Sequence, residues 1–198
     1  RNLDELEKYI GSMVEAEESE LHFGTHHLPG NYFISELIAH VREKYPGLKV
    51  RVELGTQDAS LEKLIRKKLD LALIIGDPPC HTGCRTAKLF DEDLVLVTAA
   101  GSGLDHIGEI SMRELDGFPL ILQQQGTGAL REVEKFLEKY DIQPDIRLDN
   151  LSSDVIKQFL PKMRAGSFIG RFIVQKELDA GTFREIKITE GSPLCRFH

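Results

Sequence analysis

Three times this sequence runs an apolar strand into a polar, glycine-containing loop and on into an amphipathic helix, and that recurrence leaves few folds open to it. The first copy is the strand beginning at Leu21, a loop through Gly24, Thr25 and Gly30, and a helix from Asn31. Its apolar side chains Ile34, Leu37, Ile38, Val41 and Tyr45 recur at helical spacing, and Pro46 and Gly47 stop it. In the second, Val50 to Leu54 alternates as a strand and Gly55-Thr-Gln-Asp58 opens a helix carrying Leu61, Leu64 and Ile65 on its inner face. The third runs from Phe118 to Leu122, through Gln123-Gln-Gln-Gly-Thr-Gly128, into a helix burying Val133, Phe136, Leu137 and Tyr140. A strand that ends where a helix begins is where an open α/β sheet holds a small ligand, because unpaired amides and the positive end of the helix dipole meet there.

The other segments fit that grammar. Leu69 to Ile75 is a nearly continuous apolar run, expected of a central parallel strand covered on both faces, and Leu94 to Val97 reads the same way. The glycine-rich stretch Ala100 to Gly108 resembles a crossover from one lobe to another. Ile146 to Leu148 is a short strand, and Asn150-Leu-Ser-Ser-Asp154 caps a helix with Val155, Ile156, Phe159 and Met163 on one face. Pro161 predicts that this helix breaks near Leu160. Phe168 and Ile169 form a strand, Ile173 to Ala180 a helix ended by Gly181, and Phe183 to Ile188 a last strand. Ahead of all this, Leu3, Leu6, Ile10 and Met13 make a short heptad seam, a helix packed either on a partner or on its own domain. The acidic stretch from Glu15 to Glu20 reads as a linker.

Composition narrows function. A chain of 198 residues buries a proper core, and no apolar run approaches the roughly 18 to 20 residues that cross a bilayer, so a soluble protein is expected. The start lacks a secretory signal, which favours the cytoplasm. A net charge of −7 argues against a polyanion-binding surface, and the cluster Lys63, Arg66, Lys67 and Lys68 reads as a solvated helix face. No nucleophile elbow, metallohydrolase helix or phosphate loop is present, so the chain is not expected to be an enzyme.

Gly24 to Tyr32, Phe118 to Leu122, Gln125-Gly-Thr-Gly128 and Glu177-Leu-Asp-Ala-Gly181 together resemble the effector-binding domain of LysR-type transcriptional regulators. The strongest local marker runs from Tyr45-Pro-Gly-Leu-Lys-Val50 through Glu53-Leu-Gly-Thr56 to Lys68-Leu-Asp-Leu-Ala-Leu73. The resemblance implies an α/β fold of two Rossmann-like lobes of the periplasmic-binding-protein type II kind, joined by two crossover strands, with a small-molecule cleft between them. Residues 1–19 would be the end of a linker helix, 20–97 and 192–198 lobe I, and 98–191 lobe II. The implied partners are a small-molecule effector and further copies of the chain, as a homodimer or homotetramer. DNA would be bound only through an N-terminal winged helix-turn-helix absent from this chain, and no membrane or cofactor is implied. Two departures stand out: Arg164 to Arg171 is shorter than the family's matching stretch, and the chain stops where a returning strand and terminal helix would follow, as in a truncated regulatory fragment.

The expected effector-binding residues open the helices. In the first loop they are His26, His27 and Leu28, the two histidines either contacting ligand or capping backbone groups. Thr56 and Gln57 precede the second helix, and Gln124, Gln125, Gly126 and Thr127 the third, where a cap and a ligand donor can be the same hydroxyl. Asn150 and Ser152 follow the same logic. Neutral donors dominate and no arginine is evident, which predicts a small polar or singly anionic effector. Cys80, His81 and Cys84 resemble a metal or redox turn but lack a second ligand pair, so a surface loop with free thiols is expected and no metal site; Cys195 reads as apolar filling. The function these features favour is ligand sensing within a transcription regulator, the alternative being an extracytoplasmic solute-binding receptor.

Overall fold

The computed structural model describes residues 10–11, 20–25, 34–76 and 84–198. They form two compact α/β units, one holding the described residues up to Phe90 together with Arg196–His198, the other Asp91–Cys195.

In the first unit, β1 (Glu20–Thr25), α1 (Ile34–Lys44), β2 (Lys49–Leu54), α2 (Gln57–Ile65) and β3 (Leu71–Leu73) follow one another, and the three strands pair in parallel in the order β2-β1-β3. β1 is central and buries Leu21, Phe23 and Thr25. β2 is an edge strand, which is why Lys49 and Arg51 alternate outward against half-buried Val50 and Val52. α1 buries Leu37 and Val41, as its spacing predicts, and ends just ahead of Pro46. Of the heptad seam, only Ile10 lies within the described residues; it is helical and buried, and a Cβ on neighbouring Gly11 would sit 2.6 Å from Tyr45 Oη.

Two expectations fail in this unit. α2 buries only part of the face expected of it: Leu61 and Leu64 are half-buried and Ile65 is 41% exposed, while the fully buried positions are Gln57 and Ser60. Gly24 is the reason, since a Cβ there would lie 2.4 Å from Leu69 Cδ1 and 3.3 Å from Ser60, so its absence lets α2 close on β1 through that small residue. The apolar run Leu69 to Ile75 is likewise not one strand. Leu71–Leu73 joins the parallel sheet, whereas Ile74 exchanges both backbone hydrogen bonds with His198 and Ile75 bridges Phe197 in antiparallel fashion.

The second unit contains β4 (Phe90–Ala99), β5 (Glu109–Ile110), β6 (Pro119–Gln123), α3 (Gly128–Lys139), β7 (Asp145–Leu151), α4 (Ser153–Phe159), β8 (Gly166–Gly170), α5 (Arg171–Asp179), β9 (Phe183–Ile188) and β10 (Leu194–Phe197). The chain passes between the units inside β4 and again inside β10, so the glycine-rich turn at 100–108 falls within the second unit. The sheet order is β5-β9-β4-β8-β6-β7, with β10 also on β4. β6 is parallel to β7 and β8, while β4 is antiparallel to β8 and β9.

Leu96, Leu120, Ile121, Phe168, Ile169 and Ile186 are buried on the two faces of this sheet, each worth about 1.5–3 kcal/mol on burial. Their buried polar neighbours are satisfied across strands: Thr98 Oγ1 donates to Ala165 O, Ser167 Oγ to Ile121 O and Gln123 Nε2 to Phe168 O. α4 ends at Phe159 and a single 3-10 turn, Leu160–Lys162, carries Pro161, the break that proline predicts. The buried stripe of α4 is Ile156 with Leu160; Phe159, expected inside, is 37% exposed because the tightened turn advances Leu160 into the core instead.

Candidate functional site: the helix starts at the carboxyl ends of the parallel strands

In the second unit three parallel strands end at one edge, and a helix starts from each: β6 into α3, β7 into α4, β8 into α5. This is the edge at which α/β sheets hold ligands. Thr127 is the N-cap of α3, its Oγ1 accepting from Leu130 N at 3.2 Å, and Ser152 caps α4 by accepting from Val155 N at 3.4 Å. By position, the amides of Gly128 and Ala129 have no acceptor within α3, and the dipole adds positive potential there.

The two loops are tied together. Asn150 adopts a left-handed conformation with φ 60°, and its Oδ1 accepts from Gln125 N at 3.3 Å, while Gly126 takes φ 76°. Gln124, Gln125, Asn150 and Ser152 are exposed; Thr127 is buried. The structure therefore brings Gln125, Thr127, Asn150 and Ser152 to one place. Asn150 already spends one acceptor on holding the neighbouring loop, and both hydroxyls serve as caps. Next to Ser152, the buried Ser153 Oγ has no hydrogen-bond partner, a position the sequence does not single out because either serine of the pair can cap the helix.

In the first unit Thr56 is exposed and caps α2, accepting from Ala59 N at 3.2 Å. Gly55 N donates to Thr25 O at 3.0 Å, so the ends of β1 and β2 are neighbours and Thr56 starts α2 close to the end of β1. Gln57, expected to face ligand, turns inward, and its Oε1 accepts from Ile75 N at 3.0 Å. The backbone at Ile75 needs an acceptor where the parallel sheet gives out, and Gln57 supplies it. His26, His27 and Leu28 lie outside the described residues, as do Cys80 and His81 of the metal-like turn. Among the described residues no group of three or more His, Cys, Asp or Glu side chains is placed to hold a metal ion.

Cys84 is half-buried, whereas Cys195 is buried and its thiol is pushed up to about 12, first by burial and then by the charges of Glu132 and Glu92. A thiol so far from its thiolate does not react. Cys195 should stay unmodified by iodoacetamide in the folded protein and be labelled fully in urea, as peptide mass spectrometry would read; rapid labelling of the native chain would contradict this environment.

The model of the LysR substrate binding domain matches residues 15–198. Among curated proteins, the chain is similar to the HTH-type transcriptional activator CmpR of a Synechocystis species, with 26% identity over 156 residues, 79% of this chain and 51% of CmpR. Among solved structures, it resembles the CcmR regulatory domain of Synechocystis PCC6803 in complex with 2-PG, at a TM-score of 0.78 and 19% identity, covering 90% of this chain and 85% of that one. The effector binding domain of QuiR in complex with shikimate follows at a TM-score of 0.74 and 14% identity, covering 91% and 87%. The chain spans about half the length of the curated relatives it matches.

Proposed function

This chain belongs to the LysR substrate binding domain family, and from that premise we propose that it is the ligand-sensing regulatory domain of a DNA-binding transcription regulator. It takes a small polar or singly anionic metabolite at the loops that open its helices. The observation that carries this reading is the shared edge of β6, β7 and β8, where Thr127, Asn150 and Ser152 gather neutral hydrogen-bonding groups around helix starts. Similarity to transcription regulators supports sensing over transport as a solute receptor. Among the described residues no helix is long and apolar enough to cross a membrane. The complete protein would act in the cytoplasm as a homo-oligomer, reading DNA through a domain outside this chain. Its effector alters output only through differential affinity for two arrangements of the regulator.

A thermal-shift screen tests this directly, with shikimate as the first probe within a panel of small hydroxy acids and 2-PG as a multiply anionic comparison. A ligand at about 100 times its Kd adds roughly 2.7 kcal/mol of stability. For a chain of this size that corresponds to about 5–10 °C in Tm. Thr127→Ala should cost about 1 kcal/mol through the lost cap and also remove most of the ligand-induced shift. A full shift in the variant would reduce Thr127 to a cap; turnover of a panel member by the purified chain would replace sensing with catalysis.

A further inference from the structure

The three helix starts on the edge of the second unit are not equivalent. α3 and α4 are capped by their own preceding hydroxyls, but α5 follows Gly170, which has no side chain to cap with. The amide of Phe172 donates instead to Glu92 Oε1 at 2.8 Å, a carboxylate that reaches over from β4. Arg171 beside it is held by Glu185 of β9 at 2.6 Å, and Asp93 adds a second acidic charge acting on both Glu92 and Arg171. On the neighbouring β10, Cys195 feels the charge of Glu92 as well. A nine-residue helix start flanked by a guanidinium attracts anions, and here the anion is built into the chain.

We propose that Glu92 is a specificity-determining residue whose carboxylate fills the start of α5 and closes it to anionic ligands, directing the acidic group of an effector to the start of α3. The proposal rests on the reading of this edge as the effector-binding one. The charge of Glu92 is what acts here. Burial pushes the Glu92 carboxyl up, and the Phe172 amide only partly offsets that, so holding a charge here costs more than it would in water. A glutamine would offer Phe172 the same acceptor without the desolvation of a charge. What only the carboxylate supplies is repulsion of another anion.

The experiment is a sulfate titration of the 198-residue chain, following the Phe172 backbone amide by NMR in the wild type, Glu92→Gln and Glu92→Ala. In the wild type this amide should respond no more than surface amides do. In Glu92→Ala it should show a saturable shift, with apparent affinity at least about tenfold above the wild type, equivalent to roughly 1.4 kcal/mol. Glu92→Gln, nearly isosteric, keeps the fold if the alanine variant does not, and removal of the charge alone should strengthen the response. Equal responses in wild type and Glu92→Gln overturn the proposal. Failure of every effector probe to bind the wild type would instead count against the binding edge, and leaves the Phe172 contrast to be read separately.

Discussion

Phe168→Ala should destabilise the protein by about 3–5 kcal/mol, a large share of the roughly 5–15 kcal/mol that holds a folded domain together. Phe168 is 1% exposed on β8, whose two neighbours are β4 and β6. It pairs with Leu96, and its ring meets that of Phe136 edge-on with centroids 6.3 Å apart. Leu120, Ile121, Ile169 and Ile186 are likewise buried in this sheet, on strands tied at both edges, so the sheet cannot collapse into the space left behind. The lost transfer energy and the residual cavity therefore add. Its backbone carbonyl accepts from Gln123 Nε2 at 2.6 Å, and any shift of β8 to fill the void would strain that bond too. Urea denaturation followed by circular dichroism would measure the loss; a change below about 1.5 kcal/mol would mean that this layer repacks freely and is not the core of the second unit.

Lys157→Met should cost about 2–4 kcal/mol, and for a different reason. Lys157 Nζ lies 2.5 Å from Glu177 Oε1 and donates to Ile173 O at 3.1 Å, joining α4 to α5. Both side chains are largely covered, 19% and 25% exposed, and Glu177 Oε2 is buried with no hydrogen-bond partner of its own. Removal of the cation leaves a carboxylate with nothing to offset its desolvation, the case in which breaking a buried pair is far worse than never having made it. The double variant Lys157→Met with Glu177→Leu should recover most of the loss, because both charges then leave together. The pair is partly open to solvent, which sets the estimate below that for a fully buried bridge. A double variant as unstable as the single one would show that packing of the lysine stem, rather than the stranded charge, is the source of the effect.

How far the sequence reaches can be judged position by position. Periodicity places α1, α3, β6 and β9 because each has one covered face or two, so burial and pattern agree. Pro161 announces the end of α4, since its missing N–H and ring act locally whatever the rest of the chain does. Thr56, Thr127 and Ser152 are legible as caps, because capping involves only the next three residues. Sequence spacing puts Ile65 inside α2 and misses Ser60 as its most buried contact, because Ser60 is admitted by Gly24, more than thirty positions earlier. It also sends Gln57 toward ligand when the backbone of Ile75 needs it more.

What the order of residues determined by itself is the strand-loop-helix grammar and the kinds of side chain that open each helix, both consequences of interactions within a few residues. What only the tertiary structure decided is which of those helix starts remain open. The hydrogen bonds from Phe172 to Glu92, from Gln125 to Asn150 and from Ile75 to Gln57 span 80, 25 and 18 positions. No local pattern encodes such pairs, because their partners meet only after the sheets have set which strands are neighbours.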